Sequence, residues 1–208
     1  MPAMNPVPKP LKRPLLLVVS APSGGGKTTL CDRLLANDQN LVYSVSCTTR
    51  APRGEEVDGH DYHFLSDREF NRRLQAGQFL EHAQVHGCQY GTLRKPVVDA
   101  LRAGRDVLMD IDVQGASQLR QAAMGGRHRL LREAIVDVFI VPPTLNILRG
   151  RLIRRSEDSP ETIARRLKTA VEETKRWREY QYLVINDRLR DAYEQLRAII
   201  VAERCRIV

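Results

Sequence analysis

Ala21, Pro22, Ser23, Gly24, Gly25, Gly26, Lys27 and Thr28 have the types and order needed to bind the phosphates of a nucleoside triphosphate. Glycine lets successive backbone N–H groups turn inward onto phosphate oxygens. Lys27 can reach the β- and γ-phosphates, and the Thr28 hydroxyl can ligate Mg²⁺ at a helix N-terminus. The usual pattern, GxxxxGK[S/T], opens on glycine, and here Ala21 stands in that place. Its methyl group narrows the backbone choice there, while Gly24, Gly25 and Gly26 still carry the tight turn. A chance glycine-rich turn is the alternative; the lysine, the hydroxyl and the flanking residues count against it.

Such a loop must be held between a strand and a helix. The apolar run 15–19 precedes it, and a helix-like stretch begins near Thr29. Further apolar runs at 107–111, 136–141 and 183–185 are separated by segments long enough for helices. That alternation predicts an α/β fold, a central parallel sheet flanked by helices. Helical periodicity is visible at 67–75, 96–103 and 160–177, the last with Ser159 available as N-cap and Pro160 suited to the first turn. A final helix is expected over 190–204. The stretch 122–132, with Gly125 and Gly126 inside it, reads as a loop of no assignable purpose. Residues 44–90 differ in texture, with turn signals at 52–54 and 58–59 and short β-like stretches near 62–65, and read as a small insertion on the core.

Ligands of open parallel sheets bind beyond the carboxyl ends of the strands. The run 107–111 ends among two carboxylates, Asp110 and Asp112. Asp110 is placed to hold Mg²⁺ through water beside the loop phosphates. For Asp112 a site role and the capping of the following helix stand equally open.

Composition narrows the classes of function. At 208 residues the chain suits one domain of ordinary size, and no apolar stretch approaches the ~20 residues that span a bilayer. A soluble protein without membrane partners is expected. The Pro- and Lys-rich opening lacks the apolar centre of a signal peptide and reads as a flexible leader. Cys31, Cys47, Cys88 and Cys205 are scattered without CxxC pairing, so neither zinc nor a disulfide framework is suggested and a reducing cytoplasm fits. The net charge of +8 suits either nucleic acid or a polyanionic small substrate. With no RNA-binding aromatic motif and no Cys/His finger beside the arginines, the small nucleotide is the better reading.

Arg50 and Arg53 flank a proline turn. Two guanidinium forks with a tyrosine hydroxyl such as Tyr62 can grip a phosphate monoester from several sides; paired arginines on a solvated surface are the bland alternative. The segment Ser46-Cys-Thr-Thr-Arg50-Ala-Pro-Arg53 running on to Tyr62, the segment Phe79-Leu-Glu81 running on to Tyr90-Gly-Thr92, and Asp110-Ile-Asp112-Val-Gln-Gly115 follow the phosphate loop in order. Together they resemble the guanylate kinase family over residues 15–187. The resemblance implies phosphoryl transfer from MgATP to GMP, giving ADP and GDP, on a P-loop NTPase core. It implies a kinase unit at 14–192 holding a small mixed α/β GMP-binding insert at about 46–94 and a helical lid at about 149–166. A leader, 1–13, precedes this unit, and a C-terminal helix of the core, 193–208, follows it.

Carried over by position, the resemblance assigns the GMP phosphate to Arg50, Arg53, Tyr62 and Tyr90, and the guanine to Ser46, Glu81, Thr92 and Asp112. The chemistry agrees, since guanine offers adjacent N1–H and N2–H donors that a carboxylate accepts together, while its O6 needs a donor like Thr92. Adenine presents an acceptor at N1 and meets the wrong pattern. Without the family, Glu81 is an ordinary helix or strand-edge acid. Lid arginines Arg151, Arg155 and Arg166 match positions that approach the transferring phosphoryl group, although they also fit a solvated helix face with Glu161 and Arg165 as an i,i+4 pair. Ser156 stands where the family commonly has glycine. Asn186 is a candidate contact to the adenine. No general base is needed, because the acceptor phosphate is already an anionic nucleophile; Lys27, the lid arginines and Arg50 supply positioning and charge, with Mg²⁺ held by Thr28 and, through water, Asp110. Another P-loop kinase would lack the Ser46, Glu81 and Asp112 set, and a phosphopeptide-binding scaffold module typically has a degraded loop. Monomer and homo-oligomer are both open.

Overall fold

The computed structural model describes residues 13–85, 87–125, 129–155 and 160–207. Residues 1–12 of the expected leader, Gly126, Ser156 and the Ser159 cap lie outside the described residues. Five parallel strands form the central sheet in the order β2 (Leu41–Tyr43), β7 (Asp106–Asp110), β1 (Leu16–Ser20), β8 (Ile135–Val141) and β9 (Tyr182–Ile185). Alternation along β1 explains the layering. Leu15, Leu17 and Val19 face one side with Leu30 and Leu34 of α1 (Lys27–Asn37) and Leu196 and Ile200 of α8 (Leu189–Arg204). Leu16 and Val18 face the other, against Val97 and Leu101 of α3 (Arg94–Arg102), Leu119 of α4 (Val113–Met124) and Leu131 of α5 (Arg129–Ala134). A strand apolar on both faces belongs in the middle of a covered parallel sheet.

Three elements differ from the sequence reading. Within 122–132 the described residues 122–124 and 129–132 are helical, the end of α4 and the start of α5, where Ala123 and Leu131 are buried. Gly125 caps α4 through its N–H to the Gln121 carbonyl. The helix expected over 160–177 is α7 (Pro160–Thr174) followed by a 3-10 turn, Lys175–Glu179. Helix α1 starts at Lys27 rather than near Thr29, whereas the final helix expected over 190–204 is found at Leu189–Arg204.

The insertion carries its own mixed sheet, β4 (His63–Phe64), β3 (Cys47–Thr48), β6 (Cys88–Leu93) and β5 (Phe79–Val85) in that order. Its core is small: Cys47, Phe70 and Phe79, with the two rings stacked at 4.5 Å between centroids. Phe70 comes from α2 (Asp67–Gln75), capped by the Ser66 hydroxyl, which accepts from the Glu69 N–H. Helix α6 (Leu145–Arg155) packs on α7 through Leu148, Leu152 and Ala170.

Candidate active site

The strand-loop-helix order puts the glycine loop at the carboxyl edge of the sheet. Gly24 and Gly26 have φ of 83° and 89°, a region that side chains disfavour. Gly25 is constrained by space, since a Cβ there would come within 2.9 Å of the Ala21 methyl and 3.0 Å of the Pro22 carbonyl oxygen. Ala21 is therefore tolerated at the opening position because its neighbour across the turn has no side chain. No side chain caps α1, whose first turn begins at Lys27. Its free amides and positive end form an anion site.

Strand β7 pairs with β1 so that Asp110 lies beside Val19, which delivers its carboxylate to the loop. Lys27 Nζ donates to Asp110 Oδ1 at 2.6 Å. Burial works against the charged amine, but the Asp110 carboxylate more than offsets it and holds the Lys27 pKa above its ordinary value. Thr28 is exposed beside them.

Ser46, Tyr62, Glu81, Tyr90 and Asp112 share a cavity of about 360 Å³ with Lys27. Glu81 is only 4% exposed and accepts from the Thr92 hydroxyl at 2.6 Å. Burial pushes its carboxyl up to about 7, with the nearby Asp112 charge acting in the same direction and the Thr92 bond opposing. Because Thr92 has one hydroxyl proton and gives it to Glu81, the Ser46 hydroxyl is the donor in the 3.4 Å contact between Ser46 and Thr92. Asp112 caps α4, accepting from the Gly115 N–H at 2.8 Å, and also lines the cavity.

Arg50, outside the residues that line the cavity, donates from Nε to the Tyr90 hydroxyl at 3.3 Å, and its guanidinium lies 5.3 Å from the Tyr62 ring centre. Arg53 is exposed on its loop and is not among the residues lining the cavity. Glu56, which the sequence reading missed, occupies the Arg50 fork: Arg50 Nη1 and Nη2 each donate to it at 2.9 Å, and the Arg53 N–H at 2.8 Å. The Arg50 bonds hold Glu56 below the usual carboxylate range, and Glu56 raises Arg50 in turn. The adjacent Glu55 gives the sequence no means of choosing between them.

A second cavity, about 510 Å³, opens on the other side of the loop between Gly24, Gly26, Thr28, Arg151, Asn186 and Asp187. Arg151 lies on α6 and donates to the Asn186 carbonyl at 2.8 Å. Arg166 is half-buried on α7; the Arg155 side chain lies outside what the structure describes. Glu173, also missed, brings a carboxyl from the last turn of α7 to the Ser23 amide; burial raises its pKa and that hydrogen bond opposes the rise. Nothing in its spacing from the loop announces the contact.

A parallel sheet with this strand order, a glycine loop opening a helix, and a lysine and aspartate paired at the sheet's carboxyl edge define a P-loop nucleotide-phosphate kinase fold. The family model described as guanylate kinase matches residues 13–203. The guanylate kinases of Chelativorans sp. (strain BNC1) and Agrobacterium fabrum are 49% and 47% identical over 195 residues, covering 94% of this chain and 86% and 85% of theirs. The crystal structure of guanylate kinase from Anaplasma phagocytophilum is similar with a TM-score of 0.75 at 33% identity, covering 94% of this chain and 88% of that one. The chain belongs to the guanylate kinase family.

Proposed function

We propose that this protein transfers the γ-phosphoryl group of ATP to GMP, giving ADP and GDP, and so serves purine nucleotide recycling and GTP supply. The observation that carries the reading is the phosphate loop standing between two cavities, one holding a guanine-complementary set and the other lined by Gly26, Arg151 and Asn186. Donor and acceptor then meet end to end at Lys27, the geometry of an in-line displacement. Incubating the protein with γ-labelled ATP and GMP tests it: label is expected in GDP, and label released only as inorganic phosphate contradicts it.

On this reading Arg50, Tyr62 and Tyr90 hold the GMP phosphate, with Arg53 closing from its loop and the acceptor phosphate replacing Glu56 on the Arg50 fork. Glu81 accepts from guanine N1–H and N2–H with Asp112 beside it, Thr92 fixes the Glu81 carboxylate, and Ser46 donates to O6. Lys27 leaves Asp110 for the β- and γ-phosphates, and Arg151, Arg155 and Arg166 gather on the transferring group as the lid closes. Asn186 sits on the adenine side. The hydroxyl of Thr28 and the carboxylate of Asp110 are hard oxygen donors that suit Mg²⁺ carried on ATP. Bound there, the ion neutralises phosphate charge. No helix among the described residues is long and apolar enough to cross a membrane, and the four cysteines are free; both support placing the reaction in the cytoplasm.

Two consequences are measurable. GMP binding needs the Glu81 carboxylate, whose pKa is about 7, so KM for GMP is expected to rise about tenfold per unit as pH falls well below that value. The GMP phosphate has its own second pKa of about 6, so a Glu81→Gln variant serves as control: its residual pH dependence is the phosphate's alone. A KM flat from pH 5.5 to 8 contradicts the assignment.

Gly115→Ala is the second. Alanine in place of a helical glycine ordinarily stabilises by about 1 kcal/mol. Here the added Cβ would run into Glu81 Oε2 and come within 3.0 Å of its carboxyl carbon. Displacing a side chain so buried is expected to raise KM for GMP about 10- to 100-fold, the kinetic equivalent of an overpacking cost of ~1–3 kcal/mol, with KM for ATP unchanged. Equal changes for both substrates contradict it.

A further inference from the structure

Asn186 follows the last residue of β9 and is 4% exposed. Its N–H donates to the Val141 carbonyl at the end of β8 at 2.7 Å, fixing its backbone to the sheet. From there it makes two further bonds. The side-chain Nδ2 donates to the Gly25 carbonyl at 2.9 Å, and the backbone carbonyl accepts from Arg151 Nη2 at 2.8 Å. One residue thus joins the sheet, the phosphate loop and the lid helix α6.

The first of those bonds sets the loop's polarity. A trans peptide is planar, with C=O and N–H on opposite sides. Holding the Gly25 oxygen outward on Asn186 turns the N–H of Gly26 the other way, toward the phosphate position. Gly26 has no room for a side chain, because its Cβ would land on Asn186 Nδ2. The second bond aims the arginine. With Nη2 tied to Asn186, Arg151 Nη1 is buried without a hydrogen-bond partner among the described residues, and lies 4.0 Å from the place a Gly26 Cβ would occupy. A guanidinium held by one nitrogen presents the other in a fixed direction.

We propose that Asn186 is a positioning residue for phosphoryl transfer, which holds the Gly25–Gly26 peptide and the Arg151 guanidinium in one register and acts through them rather than by reading the adenine base. The proposal rests on the phosphoryl-transfer reading above, and GDP formation by the unmodified chain in the same assay tests that reading separately. Misplacing groups by ~1 Å is enough to cost about 10²-fold. Asn186→Ala is therefore expected to lower kcat about 10- to 100-fold with ATP and equally with ITP, whose base carries a carbonyl in place of the adenine amino group. KM for the donor should move by less than about threefold. Combining it with Arg151→Lys should slow the enzyme by less than the product of the two single losses, since they share the Asn186–Arg151 contact; a full product contradicts that coupling.

A rise confined to KM, or a fall seen with ATP and absent with ITP, makes Asn186 a base contact and overturns the proposal. A lowered Tm with unchanged kcat makes it merely structural and does the same. If the alanine variant does not fold, Asn186→Asp keeps the side-chain shape and sets an oxygen against the Gly25 carbonyl. The same loss of kcat is expected there, and normal turnover overturns the proposal.

Discussion

Lys27→Ala is expected to lower kcat for GDP formation by about 10²–10³-fold or more, the loss seen when one preorganised charge-stabilising group is removed from a transition state. The ammonium group lines the first cavity and is held by a 2.6 Å bond to Asp110. That pairing keeps it protonated until phosphate takes over the contact. Folding should survive. Both partners keep about a fifth of their side-chain surface in water, 21% and 20%, so the orphaned Asp110 can be solvated. Far-UV dichroism and a Tm within a few degrees of the parent check the fold while the coupled assay reads kcat. Turnover near that of the parent would remove Lys27 from the mechanism.

Glu81→Gln should act in opposite directions on activity and stability. A site built to hydrogen-bond its substrate loses about 10⁴-fold in discrimination when a buried partner is mismatched. The amide nitrogen of glutamine would set a donor against a guanine donor, and kcat/KM for GMP is expected to fall by roughly 10³-fold or more. Stability has the other sign. The Glu81 carboxyl is raised to about 7 in the folded chain, so between the usual carboxylate range and pH 7 the folded state keeps a proton that the unfolded state has released. Stability from this group is full at low pH, falls as pH rises through that window, and stays low above it. A neutral glutamine avoids that loss, and at pH 8 the variant is expected to melt no lower than the parent. Equal activity on GMP, or a large drop in Tm at pH 8, contradicts the picture of a desolvated guanine reader.

The phosphate loop and the strands at 15–19, 107–111 and 136–141 were legible in the sequence because local pattern and burial agree there. The two-residue strand β3 carries no period to read and β2 is scarcely longer, whereas β4 falls inside the β-like stretch expected near 62–65. At 122–132 the turn signal was legible at Gly125, which ends α4, while the helical residues on either side were not, because the burial of Ala123 and Leu131 is decided by contacts distant in the chain. At the site, Tyr62, Glu81, Tyr90 and Asp112, which family resemblance singled out, line one cavity with Lys27, and Arg50 reaches its edge through the Tyr90 hydroxyl. Their present bonds were not legible. Thr92 serves Glu81, Glu56 occupies the Arg50 fork, and the Asn186 amide holds the loop, each through contacts that no sequence spacing encodes.

The most direct test of the central claim is kcat/KM for GMP, AMP, CMP, UMP and dTMP as acceptors, measured with MgATP under one condition by coupled ADP release. Rapid turnover is expected on GMP and at least about 10³-fold less on AMP, because adenine sets an acceptor against Glu81. Comparable turnover on AMP or a pyrimidine nucleotide would contradict it and leave only a phosphate-loop kinase of another specificity.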